Sequence, residues 1–154
     1  MALIPPWPSI RQAFLQQLRA NLVLKAGLGG DWSEGFAPQK TAYPLGVVYL
    51  HYAPSFPDTT GRVAYIGVGV VIFSKDQGEA ASLYSLAFTS LDDTKLTLTG
   101  QTSLQCRETS SISLQDVDTE GKAIYEVGGI YEVRVSQSNP TLATLTFTAD
   151  STIS

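Results

Sequence analysis

The sequence has few of the residues from which catalytic and metal sites are built. It contains one histidine, one cysteine and one methionine in 154 residues, and only 16% of its residues are charged. The single cysteine, Cys106, excludes an internal disulfide and a metal site made of several cysteines. Neither is needed for folding, because a chain of this length buries roughly 70% of the surface that its unfolded form exposes.

Basic residues and long apolar stretches are also scarce. Ten Lys and Arg oppose fourteen Asp and Glu, and the basic residues are scattered singly, which argues against a groove that binds nucleic acid. The longest apolar stretch, residues 63–73, is far shorter than the roughly 20 residues that span a bilayer. Residues 1–8 do not resemble a secretory signal, and we predict a proline-rich N-terminal arm there. The composition predicts a soluble protein with no membrane partner.

Apolar residues recur at helical spacing directly after this arm. They are Ile10, Phe14, Leu15, Leu18 and Leu22. This stripe predicts an amphipathic helix, and Ser9 followed by Gln12 is typical of a capping box at its start. Gly27 suits the left-handed position that follows a helix. We therefore predict one helix over residues 9–26.

Two stretches rich in β-branched and aromatic residues, 45–52 and 62–74, predict strands. Both are apolar on both faces, which predicts central positions in a sheet that is covered on two sides. Gly67 and Gly69 in the second stretch predict a bend or a close approach of the backbone. The loop between the two strands contains Phe56, which we expect to be exposed.

The second half of the chain predicts one more helix and further strands. Asp76 and Glu79 form a capping-box pattern before a helix that ends near Leu91. Strands are predicted at residues 95–99 and 102–117, the latter with a polar kink at 108–111. All lie within a domain that we place at residues 9–137.

The last long alternation, residues 122–136, has Glu126 and Glu132 on a face exposed to water. Its glycine pair, 128–129, predicts a bend or bulge. Residues 138–154 contain a proline break and then an alternation of apolar residues with threonines, which predicts a separate C-terminal strand. The fold prediction is α+β: a single domain with a mixed or mostly antiparallel sheet, two helices and this extra strand.

None of the chemically versatile residues is arranged as a catalytic set. His51 lies in an apolar strand beside tyrosines, so a relay would have to be assembled around it, and a half-buried or interface histidine is the simpler interpretation. The acidic groups at 92–93 and 116–118 flank predicted turns, where Asp bonds the local backbone. The glycine pairs 29–30 and 128–129 lack the lysine of a phosphate-binding loop. We predict no catalytic residue, cofactor or metal site.

Aromatic residues and prolines outside the regular elements are the remaining feature. Such residues anchor many interfaces, although they also cap the ends of hydrophobic cores. The C-terminal strand can either add to the sheet edge of a neighbour or pair within its own chain. The interface candidates are Trp7, Pro38, Gln39, Tyr43, Pro44, Phe56, Leu145 and Phe147.

The segment GFAPQ at residues 35–39, followed by Tyr43, Pro44 and an apolar strand, resembles the tail-terminator (tail-completion) family of tailed bacteriophages. In the order of its elements the resemblance extends from about Ile10 to Gln137. It implies a non-enzymatic subunit of the virion that is assembled in the host bacterial cytoplasm. Copies of this subunit form a hexameric ring that terminates the tail tube at its head-proximal end and joins it to the neck. The partners it implies are the tail tube protein and a neck, head-completion or connector protein.

Such a ring surrounds DNA that passes through without specific contacts. We expect Asp118, Glu126 and Glu132 to face the lumen, where negative charge keeps DNA from adhering. A second hypothesis is a β-rich module of a virion that binds carbohydrate or a receptor and stacks ligands on Trp7, Trp32 and Phe56. A third is a small hydrolase built around His51.

Overall fold

The computed structural model describes residues 7–29, 31–34, 42–55, 63–97, 102–117 and 120–137. These ranges contain three helices and six strands. The helices are α1 Trp7–Arg19, α2 Leu22–Gly27 and α3 Gln77–Leu91. The strands are β1 Trp32–Glu34, β2 Leu45–Ser55, β3 Val63–Ser74, β4 Thr94–Thr97, β5 Thr102–Val117 and β6 Ala123–Gln137.

The six strands form one sheet in the order β1-β2-β3-β6-β5-β4. The short β1 runs parallel to β2, and every other neighbouring pair is antiparallel. The prediction of a single α+β domain with a mixed, mostly antiparallel sheet is therefore confirmed. None of the helices in the described ranges is long and apolar enough to cross a membrane.

The hydrophobic core lies between the three helices and one face of the sheet. Alternate residues of β3 are fully buried there: Ile66, Val68, Val70 and Ile72. They pack in one cluster with Phe14 and Leu18 of α1 and with Ala80 and Ala87 of α3. Each large apolar side chain that is buried in this way stabilises the fold by about 1.5–3 kcal/mol, so this face holds the domain together.

The prediction of one helix over residues 9–26 is wrong, because two helices occupy this range. The side chain of Asn21 accepts a hydrogen bond from the backbone N–H of Leu24 and so caps a new helix, α2. The change of direction takes Leu22 out of the apolar stripe and leaves it 73% exposed. Helix α1 also begins earlier than predicted, at Trp7, so the last two residues of the predicted arm are helical.

Helix α3 begins and ends where the sequence predicts. The Asp76 side chain accepts a hydrogen bond from the Glu79 backbone N–H at 3.2 Å, as in a capping box. The return bond passes through Ser74: its hydroxyl donates to the Glu79 carboxylate at 2.7 Å and accepts from the Asp76 N–H at 3.1 Å. Both ends of the box are therefore satisfied, with Ser74 between them.

A bulge in β5 accounts for the irregularity that was predicted at residues 108–111. The pairing of β5 with β6 shifts register between Glu108 and Ser110, and Thr109 is the additional residue. Its hydroxyl donates to the backbone carbonyl of Ile130 at 3.2 Å. Of the bend or bulge predicted at the glycine pair 128–129, the bulge is absent, because β6 keeps its register with both neighbours there.

Strand β2 continues to Ser55, three residues beyond its predicted end, and includes Pro54. Strand β1 pairs only with Gly46, Val47 and Val48, so the outer edge of β2 has no partner at Pro54 among the described residues. Proline is tolerated at such an edge because no N–H is needed there. The predicted C-terminal strand lies outside the described ranges.

Candidate interaction surface

The second face of the sheet carries no helix in the described part of the chain, and we call it the helix-free face. The strand register aligns its residues in rows that run across β2, β3, β6 and β5. From one end to the other these rows are Leu45–Phe73–Glu126–Leu114, Val47–Val71–Gly128–Ile112, Tyr49–Gly69–Ile130–Ser110 and Tyr52–Gly67–Glu132–Arg107.

Tyrosine rings lie over glycines in the last two of these rows. A Cβ atom on Gly67 would collide with the ring of Tyr52, and one on Gly69 would collide with the ring of Tyr49. The bare backbone of β3 thus gives both rings room to lie flat against the sheet. The close approach that was predicted at these glycines is confirmed, and it is made by aromatic side chains.

The ring of Tyr52 extends across β3, and its hydroxyl donates to Oε2 of Glu132 at 3.0 Å. Burial and this hydrogen bond together raise the pKa of Tyr52 to about 12. Burial, and then the nearby Glu126, raise the pKa of Tyr49. Each tyrosine is therefore coupled to one of the two carboxylates that the sequence placed on this face.

A second acidic residue lies near Glu126. Burial, and then the charge of Asp116, raise the pKa of the Glu126 carboxyl. Asp116 is on the same face of β5, opposite Ile124. This end of the face is therefore acidic, whereas the other end is mixed because Arg107 lies opposite Glu132 and Arg134 follows on the same side.

The lumen candidates can now be placed. Glu126 and Glu132 share the helix-free face, as the alternation predicts, and Asp118 lies outside the described residues. The proximity of Asp116 to Glu126 was not predicted from the sequence. The two residues are ten positions apart in the chain and become neighbours only through the register of β5 and β6.

Three of the interface candidates lie in the described ranges. Trp7 is the first residue of α1 and packs partly against the core. Tyr43 and Pro44 are half-buried and joined by a cis peptide bond, and the ammonium of Lys75 lies 5.6 Å from the centre of the Tyr43 ring. The remaining candidates lie outside these ranges: Pro38, Gln39, Phe56, Leu145 and Phe147.

The expected surface position of Trp32 is wrong. Only 7% of this residue is exposed, because its ring lies over Gly46, where a Cβ atom would collide with it. A buried indole cannot stack on a ligand from solution. The binding-module hypothesis therefore loses one of its three stacking residues.

His51 and Cys106 occupy different environments. His51 is exposed, and its ring lies edge-on to Tyr49 and Tyr52, with centroid distances of 6.1 and 5.8 Å. Cys106 is fully buried, and burial together with the nearby Asp92 raises the pKa of its thiol well above the usual range. Its thiolate is thus scarce at neutral pH. The described residues contain no group of three or more His, Cys, Asp and Glu side chains that could hold a metal ion.

A buried polar network beneath α3 was missed by sequence analysis. The hydroxyls of Tyr84 and Tyr131 are 2.7 Å apart, and Tyr84 donates to Oε1 of Glu108 at 2.7 Å. Because Tyr84 has one hydroxyl hydrogen, Tyr131 donates to Tyr84. The N–H of Glu108 in turn donates to Asp92 at 2.9 Å, so the network ties the β5 bulge to the end of α3.

Burial is also the main cause that raises the pKa of both Tyr84 and Tyr131. The network has space because the position facing it on β6 is Gly129, where a Cβ atom would collide with Glu108 and Tyr84. Tyrosine counts as apolar in a periodicity analysis, so the spacing of α3 gave no sign of these hydrogen bonds. Both tyrosines remain neutral and serve the packing of the domain.

Comparison with known proteins gives matches in structure. No protein-family model matches the sequence, and no curated protein matches it either. The chain is similar to a chain from the virion of the native gene transfer agent (GTA) particle, with a TM-score of 0.62 and 18% identity over 84% of this chain and 96% of that one. It is also similar to bacteriophage SPP1 gp17 protein, with a TM-score of 0.46 and 17% identity over 86% and 91% of the two chains.

At this level of identity the likeness to the gene-transfer-agent chain is a likeness of fold. It extends over 84% of this chain and 96% of that one. The fold of this protein is therefore one that virion proteins use.

Proposed function

We propose that this protein is a structural component of a virion, where it forms a hexameric ring at the head-proximal end of the tail tube. The observation that carries the proposal is the shared fold with the gene-transfer-agent virion chain over 84% of this chain and 96% of that one. The number of subunits and the place in the tail come from the resemblance of GFAPQ and Tyr43–Pro44 to tail terminators. One side of the ring contacts the tail tube protein, and the other contacts a neck or connector protein.

The helix-free face suits the wall of a DNA channel. It is an extended sheet surface, and its acidic end carries Glu126 and Asp116 close together. Negative charge there repels DNA phosphates and keeps the passing duplex from adhering. Arg107 and Arg134 at the other end limit this repulsion, so we assign the acidic end to the narrowest part of the lumen.

Deletion of the gene from a phage that encodes it tests the position in the tail. We expect tubes of abnormal length and heads that lack tails, because nothing would then stop tube growth or join the two parts. Electron microscopy of the lysate measures both. Tails of normal length on filled heads that fail to adsorb to cells would overturn the proposal in favour of the receptor-binding module.

Reversal of charge tests the lumen. Glu126→Lys replaces a negative charge on the helix-free face by a positive one, a net change of +2. The double variant Gln12→Lys/Gln16→Lys makes the same net change on exposed positions of α1. We expect Glu126→Lys to slow DNA release from otherwise intact particles and the α1 variant to leave it unchanged. Equal rates of DNA release by the two variants would show that the helix-free face does not line the channel.

A further inference from the structure

Strand β5 has a long edge with no partner strand in the described part of the chain. Strand β4 pairs only with residues 103–106, whereas β6 pairs with β5 along its whole length. The N–H groups of Glu108 and Val117 bond the side chains of Asp92 and Asp116. From Thr109 to Asp116 the outer edge of β5 has backbone N–H and C=O groups with no strand partner among the described residues. Such an edge is a template for a strand from another chain.

Apart from the bulge at Thr109, this edge lacks the features by which proteins protect exposed strands. Residues 109–115, TSSISLQ, include neither a charge nor a proline. Leu114 and Val117 are 59% and 61% exposed. The unpaired part of β2, in contrast, contains Pro54, which blocks the addition of a strand.

The two sides of this edge differ in chemistry. On the helix-free side the register places Ile112 and Leu114, opposite Gly128 and Glu126 of β6. On the other side it places the hydroxyls of Ser111 and Ser113. A strand that completed this edge would need apolar residues on one side and hydroxyls on the other.

The sequence after β6 contains a segment with this pattern. Residues 141–148, TLATLTFT, alternate Leu145 and Phe147 with threonines. We propose that this segment of a neighbouring copy adds as a strand to the β5 edge, with Leu145 and Phe147 beside Ile112 and Leu114. Its threonines then lie beside the serines, where hydroxyl pairs stabilise neighbouring strands.

The segment would have to be almost fully extended to approach this position within its own chain. Gln137 pairs with Thr102, and Ile112 is opposite Gly128, nine residues before Gln137 along β6, or about 30 Å. The added strand lies two strand spacings from β6, roughly 10 Å to the side. The eight residues from Gln137 to Leu145 span at most about 29 Å, which is shorter than the combined path of about 32 Å. Leu114 is farther still, so a second copy is the better donor in either strand direction.

Because each copy both donates a segment and receives one, the contact joins two different surfaces. Heterologous contacts of this kind generate closed rings when the rotation between subunits closes. The inference rests on the proposed ring and deepens it by naming the contact between subunits.

Engineered cysteines in the full-length chain test the contact, since the natural Cys106 is fully buried. We combine Leu114→Cys with Leu145→Cys or with Phe147→Cys, because the strand direction decides which pair faces. Directly paired residues have Cβ atoms about 4.5–5.5 Å apart, close to disulfide geometry. The control is Leu114→Cys with Thr146→Cys, whose second cysteine would lie on the hydroxyl side.

We expect one of the two test pairs to give a ladder of covalent oligomers on a non-reducing gel, and the control to give monomer. A mixture of chains that carry only Leu114→Cys and chains that carry only the matching C-terminal cysteine should give a covalent dimer. Replacing both Leu145 and Phe147 by threonine should raise the concentration needed for assembly roughly tenfold, whereas Leu22→Gln, at an exposed position of α2, should not change it.

Native mass measurement separates failure of this contact from failure of the ring. Oligomers that form without any cross-link, and that survive both threonine substitutions, would overturn the contact and leave the ring standing. A disulfide that forms only within single chains would also overturn the proposed contact between copies. Chains that stay monomeric without cross-links would overturn both, whereas cross-linked dimers that never close would support the contact and contradict the ring.

Discussion

The two faces of the sheet are constructed differently, although the same strands build both. The helix-covered face consists of large apolar side chains such as Ile66 and Val68, which are fully buried against α1 and α3. The helix-free face has bare glycine backbone under tyrosine rings, and half-buried carboxylates beside them. Burial on the first face accounts for the stability of the domain. The second face also contains buried apolar residues, such as Val47 and Val71, but its Tyr52, Arg107 and Leu114 are exposed and available for contacts with DNA or other subunits.

The largest expected effect is the loss of a buried ring from the helix-covered face. Phe14→Ala should lower the free energy of unfolding by about 4 kcal/mol, because it opens a cavity where the side chain is now fully enclosed. Urea denaturation measures this change. Phe88→Ala, at a position that is 36% exposed, is the matched control and should cost clearly less, about 1–2 kcal/mol. Equal losses of unfolding free energy in the two variants would show that burial against α1 and α3 is not the main source of stability.

A methyl group at Gly128 tests the helix-free face at its tightest point. The added Cβ would collide with the backbone of Val70 and Val71 on β3, which cannot rotate away. Gly128→Ala should therefore cost about 3 kcal/mol. Gly78→Ala near the start of α3 meets only the Asp76 carboxylate, at an ordinary contact distance of 3.8 Å, and should instead stabilise the domain by up to about 1 kcal/mol. A tolerated Gly128→Ala variant would mean that β3 and β6 can separate here.

Removal of one tyrosine hydroxyl from each face compares how much a hydrogen bond on that face contributes to stability. Tyr131→Phe leaves the buried hydroxyl of Tyr84 without its second partner and should cost about 1–2 kcal/mol. Tyr52→Phe removes the exposed bond to Glu132 and should cost below about 0.5 kcal/mol. Both are read from urea denaturation. A larger loss of stability for Tyr52→Phe than for Tyr131→Phe would contradict the larger contribution of the helix-covered face.

The smallest effect is a change in pH dependence. The pKa of Glu126 is higher in the folded chain than in the unfolded one, so the folded chain binds this proton more tightly. The stability of the fold therefore decreases as the pH rises from the unfolded pKa of Glu126 through its folded pKa. Glu126→Gln removes the dependence. The variant should be slightly more stable than the parent at pH 7 and equal to it below about pH 4, where the carboxyl is protonated in both states. Thermal unfolding across this range measures the difference, and a less stable variant at pH 7 would contradict it.

Elements with strong local patterns were predictable from the sequence. The box from Asp76 to Glu79 located α3, and the β-branched stretches located β2 and β3 because those residues favour strands. The break at Asn21 was not predictable in this way, because the apolar spacing continues through it. There the side-chain cap and tertiary packing prevailed over periodicity.

The candidate surface was predictable only in part. Alternation placed Glu126 and Glu132 on one face, since side chains alternate along any strand. The pairing of Glu126 with Asp116, the crossing of Tyr52 to Glu132 and the Tyr84–Tyr131–Glu108 network depend on register between strands that are distant in sequence. The bulge at Thr109 sets the register of β5 with β6 beyond it, and local sequence did not show which strand would contain the additional residue.

Cryo-electron microscopy of particles that contain the protein tests the central proposal most directly. We expect a ring of six copies between the tail tube and the neck, with the helix-free face of β6 toward the channel. A ring that turns α1 to the channel would contradict the assignment of faces. Copies found at the tail tip or on fibres, or particles that lack the protein while heads and tails are joined, would contradict the proposed function itself.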